Sequence, residues 1–136
     1  MTAHLGEPTA SEYATRLQRL RDVLAQSGVA AALILGRRNW FGDHSLRYFI
    51  GYTGHSSLAV LLIEAGGRTE FFVAPDENRP CFAVFDDAET IYTDHLTDAV
   101  LAALRSSPSG DIGIGGAEGM GFSALDLLPR DLAHAI

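Results

Sequence analysis

The apolar positions of the chain change their period as it proceeds. Tyr13, Leu17, Leu20 and Leu24 recur four, three and four residues apart, which is the repeat of one helix face. Thr9, with Glu12 three positions on, makes a capping-box pattern at the start of this helix. Gly28, just past "LAQS", is placed to close it as a left-handed cap. Arg16, Arg19, Arg21 and Asp22 are expected mainly on the other faces. From Ala31 the period vanishes, and "AALILG" is a continuous apolar run to Gly36, the signature of a strand covered on both sides.

A polar and aromatic stretch follows, from Arg37 to Ser57, expected as a loop with a short helical turn near Leu46–Ile50. "LAVLLIE" and "RTEFFVA" are two strand-like runs separated by Ala65-Gly66-Gly67, which predicts a hairpin, and Pro75 ends the second run. Between Asp76 and Glu89 the pattern weakens, and "PCFAVF" fits a short helix or a strand equally. "TIYT" (90–93) predicts a short strand. "DHLTDAVLAALRSS" predicts a helix, with Leu96, Val100 and Leu104 four apart and Pro108 beyond its end. "DIGIGG" (111–116) predicts a strand running into a glycine-rich turn. Ser123 with Asp126 forms a second capping-box pattern ahead of "ALDLLPRDLAHAI". Helices alternating with strands around one hairpin define the α/β class, with a mixed β-sheet flanked by helices.

The 136 residues, 47% hydrophobic and 20% charged, suffice for one domain with a buried core. Ten basic residues, all Arg, face seventeen acidic ones, a net charge of −7. Phosphate backbones are read by clustered Lys and Arg, and the longest basic run is Arg37-Arg38, so no nucleic acid is expected as a partner. Apolar runs such as Leu58–Ile63 are far shorter than a bilayer requires, so no membrane association is expected. Cys81 is the single cysteine, which rules out an internal disulfide and suits a reducing, cytoplasmic setting. The N-terminal residues have neither the basic nor the apolar region of a signal peptide. The chain ends at Ile136 without a polar tail, which leads one to expect a domain boundary there.

Self-contained chemistry is hard to find. His4, His44, His55, His95 and His134 show none of the spacings that bring metal ligands together. Ser56 and Ser57 follow His55, but "TGHSSLA" is not a nucleophile elbow, and Cys81, next to Pro80, has no helix N-terminus or basic neighbour that clearly activates it. In "GDIGIGGAEGMG" a dinucleotide fingerprint would take Gly113 and Gly115, but its third glycine is Glu118, a carboxylate where a pyrophosphate must approach. What remains is the stretch from 39 to 57. Trp40, Phe41, Tyr48, Phe49 and Tyr52 sit there beside Asp43, His44, Arg47 and His55. Tyr48, Phe49 and Ile50 fit a local core as well as a binding surface. Trp40, His44 and His55 have no periodic partner, and an interface or binding role for them stays open.

Taken in order, "EYATRLQRLRDVLAQSGVAAALI", "LRYFIGYTG", "LAVLLIEAGGRTEFFVAP" and "IYTDHLTDAVLAAL" resemble the N-terminal domain of creatinase, prolidase and aminopeptidase P proteins, over nearly everything from Ser11 to Ile136. The strongest motif is Arg47-Tyr48-Phe49-Ile50-Gly51-Tyr52, which is similar to the family's "(N)xRYLTGF" segment. The resemblance implies a mixed sheet with helices on its faces, of ribonuclease H-like architecture. It also implies a flexible N-terminus over 1–10, one domain over 11–136, and a parent protein whose catalytic "pita-bread" domain is absent from this chain.

In peptidase members the catalytic domain binds two divalent metals, usually Mn, Co or Zn, through two Asp, one His and two Glu. Creatinase members use the same fold without metal. The resemblance therefore implies no cofactor and no catalytic residue in this chain, whose expected partners are the C-terminal catalytic domain, a second protomer and a peptide substrate. The family's N-terminal domain assembles the dimer and closes the neighbouring subunit's cleft. By position, Thr53-Gly54-His55-Ser56 matches the segment that reaches that cleft. His55 is thus the first expected substrate contact in trans, followed by Trp40, Arg47, His44 and Tyr52. The chain departs from the family in two places. "NWFGDHS" is a longer approach to Arg47 than usual, and Gly115 stands where many relatives carry Glu.

Overall fold

A computed structural model describes residues 9–36, 45–51, 59–74, 89–107 and 110–115. The first helix, α1 (Ala10–Ser27), opens on the capping box expected from Thr9 and Glu12, with the Thr9 hydroxyl accepting from the Glu12 N–H at 3.2 Å. It closes at Gly28, whose φ of 71° is the left-handed conformation that glycine adopts without a Cβ penalty. Tyr13, Leu17 and Leu24 are buried along one face. Arg21 is buried with them, which corrects the expectation that it lies on an outer face. It sits four residues after Leu17 and three before Leu24, squarely on the inward stripe.

The chain continues through β1 (Val29–Gly36), α2 (Ser45–Ile50), β2 (Ala59–Glu64), β3 (Thr69–Val73), β4 (Glu89–Tyr92), α3 (Leu96–Arg105) and β5 (Asp111–Gly115). The five strands make one sheet in the order β4-β3-β2-β1-β5. β1 pairs antiparallel with β2, as β2 does with β3, while β5 runs parallel to β1 and β4 parallel to β3. The sheet is therefore mixed, as the sequence leads one to expect. The β2–β3 hairpin turns at Ala65–Arg68, closed by the Glu64 N–H donating to the Arg68 carbonyl at 2.8 Å.

The central strands read as unbroken apolar runs because alternate residues serve two cores. Ala32, Ile34, Leu61, Ile63, Phe71 and Val73 pack with Leu17 and Leu24 of α1 and Leu46 and Ile50 of α2. Leu33, Leu35, Val60, Leu62 and Phe72 face the other way, against Val100 and its neighbours on α3. Each buried Leu, Ile, Val or Phe among them contributes about 1.5–3 kcal/mol through burial, so the two-sided sheet is the main source of stability. The layers are helices, sheet, helix.

The second capping-box pattern at Ser123 and Asp126, Pro75, Cys81 and the segment from Asp76 to Ala88 lie outside the described residues. Among the described residues no helix is long and apolar enough to cross a membrane.

Candidate functional site

The pairing register gathers one end of every strand. Gly36, the last residue of β1, pairs with Ala59, the first of β2. Val60 pairs with Phe72, Val73 with Tyr92, and Ile34 with Gly115. The carboxyl ends of β1, β3, β4 and β5 therefore share one edge of the sheet with the start of β2. In open α/β sheets this is the edge that carries ligand-binding loops. The segments singled out in the sequence leave from it: one runs on from Gly36, and the other returns at Ala59.

α2 stands between these two segments. It is only six residues long and cannot hold itself as a helix, so tertiary contacts must fix it. Leu46 and Ile50 supply the apolar contact, at 4% and 1% exposure. Leu46 lies directly over Gly36, where a Cβ would come within 2.6 Å of its Cδ1. The polar contact comes from α1. Arg16 donates through Nη1 to the Tyr48 carbonyl at 2.7 Å, and its guanidinium lies 4.1 Å from the centre of the Tyr48 ring. Tyr48 also meets Phe49 edge to face, with centroids 5.0 Å apart. Gly51, at φ 72°, then turns the chain out of the helix.

Of the five expected contact residues, Arg47 lies in the body of α2, although its side chain is outside the described set. Trp40, His44, Tyr52 and His55 lie outside the described residues altogether. Phe49 is half-buried and Ile50 fully buried, so the local-core reading holds for both. Tyr48 departs from it: the residue is 47% exposed and its ring is clasped by Arg16. Arg16 itself carries no sequence signal of this role, because its partner lies 32 residues away. Among the described residues no group of three or more His, Cys, Asp or Glu is placed to hold a metal ion. The described part of the domain thus offers no fit to a two-metal centre.

The family model for the creatinase/prolidase N-terminal domain matches residues 16–126. The chain belongs to this family. Among solved structures it is similar to the dipeptidase PepE of Mycobacterium ulcerans, at 20% identity and a TM-score of 0.45. That match covers 93% of this chain and 27% of the dipeptidase, so the chain spans about a quarter of that protein's length. It is also similar to the creatinase/prolidase-like N-terminal domain of a Corynebacterium diphtheriae protein, at 19% identity and a TM-score of 0.44, covering 75% of this chain and 93% of that one. No curated protein matches the chain.

Proposed function

We propose that this chain is the non-catalytic N-terminal domain of a cytoplasmic Xaa-Pro dipeptidase or aminopeptidase. In this reading a C-terminal domain with two divalent metals hydrolyses the bond before proline. The present domain contributes dimer contacts and one wall of the partner protomer's substrate site. The observation that carries the reading is the family match over 16–126, which takes in the whole stretch from Arg37 to Ser57. The shared strand-end edge supports it, since that edge launches the segments bearing Trp40, His44, Tyr52 and His55. His55, when protonated, is suited to a substrate carboxylate, and Arg47 to the same chemistry at any pH.

The test is an assay of the full-length parent, wild type against His55→Ala, on Xaa-Pro dipeptides and tripeptides with and without Mn²⁺. A wall residue that binds ground and transition states alike predicts metal-dependent cleavage, with KM raised and kcat little changed in the variant. Cleavage that the variant leaves untouched removes His55 from the wall. Absence of cleavage with every metal overturns the peptidase reading. A metal-free, creatinase-like amidinohydrolase or a peptide-binding module without turnover would then stand in its place.

A further inference from the structure

On the outer side of the α1–α2 contact lies an open groove of about 290 Å³, lined by Ser11, Glu12, Thr15, Arg16, Arg19 and Tyr48. We infer that this groove is an interaction surface for a carboxylate side chain on an acidic protein segment, received between the guanidinium groups of Arg16 and Arg19 beside the exposed Tyr48 ring. The inference does not rest on the peptidase reading, for it needs no downstream domain.

The lining is polar throughout, and its net charge is positive on a protein whose overall charge is −7. Arg16 and Arg19 are three apart on one helix, so their charges sit on neighbouring positions and repel. Neither is ion-paired among the described residues, where the ion pairs are those of Arg68 with Glu64 and Glu70. Glu12, the one acid of the groove, turns back to the Thr9 N–H at 3.5 Å as part of the capping box. Thr15 donates its hydroxyl to the Ser11 carbonyl at 2.9 Å, so it is committed to its own helix. Two guanidinium groups against the single Glu12 carboxylate leave the groove with a net positive charge and unused donors.

Arg16 is also fixed in advance. One N–H is held by the Tyr48 carbonyl and the guanidinium lies over the Tyr48 ring, with the Tyr13 ring of its own helix 5.6 Å away. A guanidinium already ordered loses less freedom when it takes a ligand, and its remaining N–H groups match the fork of a carboxylate. Tyr and Arg are both enriched at protein interfaces and among their hot spots. The volume holds one side chain and its flanking backbone, not a folded element. A phosphate is the weaker fit: its usual cradle is a run of free backbone N–H groups, and here the Glu12 N–H is already taken by Thr9.

The experiment is an NMR titration of the chain with an acetylated, amidated pentaglutamate peptide, followed at the Tyr48 amide and the Arg16 and Arg19 Nε–H signals. Saturating shifts are expected, weakening as sodium chloride is raised and at least fivefold weaker in Arg19→Gln. Arg19 is exposed and outside the α1–α2 contact, so this variant keeps the wild-type thermal midpoint. No shift with excess peptide, equal binding by Arg19→Gln, or an equal response to pentaglycine would each overturn the inference. Tighter binding of inorganic phosphate than of the peptide would overturn it too, in favour of a phosphate site.

Discussion

Arg21, on the inward face of α1, donates through Nη2 to the hydroxyl of Thr69 at the first position of β3, 48 residues further along the chain. Both residues are buried, at 7% and 4% exposure, and the other hydrogen-bond partner of the guanidinium is the Gln18 amide oxygen at 3.3 Å. Its Nε makes no hydrogen bond. A buried cation with neutral partners is costly to desolvate, and truncating one partner costs more than replacing the cation itself.

The stability consequences of that pair run in opposite directions. Thr69→Val keeps the shape but removes the acceptor, and should destabilise by about 1–3 kcal/mol through the donor left unsatisfied. Arg21→Met removes the charge while keeping an unbranched apolar stem, and should be neutral or stabilising, as replacements of buried ions often are. Urea unfolding of the two variants and the double variant measures both, and Thr69→Val should cost little once Arg21 is Met. A large loss in Arg21→Met would mean that the charge itself holds α1 to the sheet.

Gly36 decides how closely α2 can approach β1. A Cβ there would meet Leu46 Cδ1 at 2.6 Å and Cγ at 3.0 Å, so the whole buried side chain must move. Gly36→Ala should therefore cost about 1–3 kcal/mol, the range of an overpacked core. Adding Leu46→Ala should recover part of that cost by vacating the space, although Leu46→Ala alone creates a cavity. Thermal unfolding of the three variants tests this. Additive losses would show that α2 shifts freely instead of being held against the strand.

The elements themselves are legible from sequence because each rests on a local rule. The helix period, the Thr9–Glu12 box, Gly28 and the glycine turn of the hairpin place α1, β1, β2 and β3 to within two residues. Arg21 shows where such reading stops short. Its position fits the inward stripe, but Leu20 competes for the same place in the pattern, and only the presence of Thr69 opposite makes the buried arginine tolerable. The clasp of Arg16 on Tyr48 has no local signature at all, since it depends on how two helices cross over the sheet. Arg47 is placed on α2 as expected, whereas Trp40, His44, Tyr52 and His55 lie outside the described residues.

Arg68 joins the hairpin to the end of α3. Its Nη2 lies 2.9 Å from Glu64 Oε2 and donates to the Ala103 carbonyl at 2.8 Å, and its Nη1 donates to Ser106 Oγ at 2.9 Å. Nε is 3.3 Å from Glu70 Oε1, an ion pair whose angle makes no hydrogen bond. The side chain is 34% exposed, so screening discounts the charge term, and the hydrogen bonds to the helix end carry most of the effect. Arg68→Ala should cost about 1–2 kcal/mol, and Arg68→Lys should recover less than half, because a point charge cannot serve several acceptors in one plane. Chemical unfolding at low and high salt separates the two contributions. A loss that vanishes in high salt would assign the role to the ion pairs instead.

Arg16 governs α2 more than it governs the whole fold. The six-residue helix depends on contacts from outside, and the Nη1 bond to the Tyr48 carbonyl anchors it from α1. Arg16→Met keeps a stem against Tyr13 but loses the hydrogen bond and the cation–π contact, together worth about 1–2 kcal/mol at a half-exposed site. That energy should appear locally, as exchange of the α2 amides quickened about tenfold while the strand amides of β1 and β2 keep their protection. Arg16→Lys restores charge over the ring without the planar fork, and should fall between the two. Native-state hydrogen exchange resolved by residue provides the measurement. Equal acceleration in α2 and in the central strands would mean that Arg16 supports the domain as a unit, and that the helix between the two candidate segments has no separate anchor.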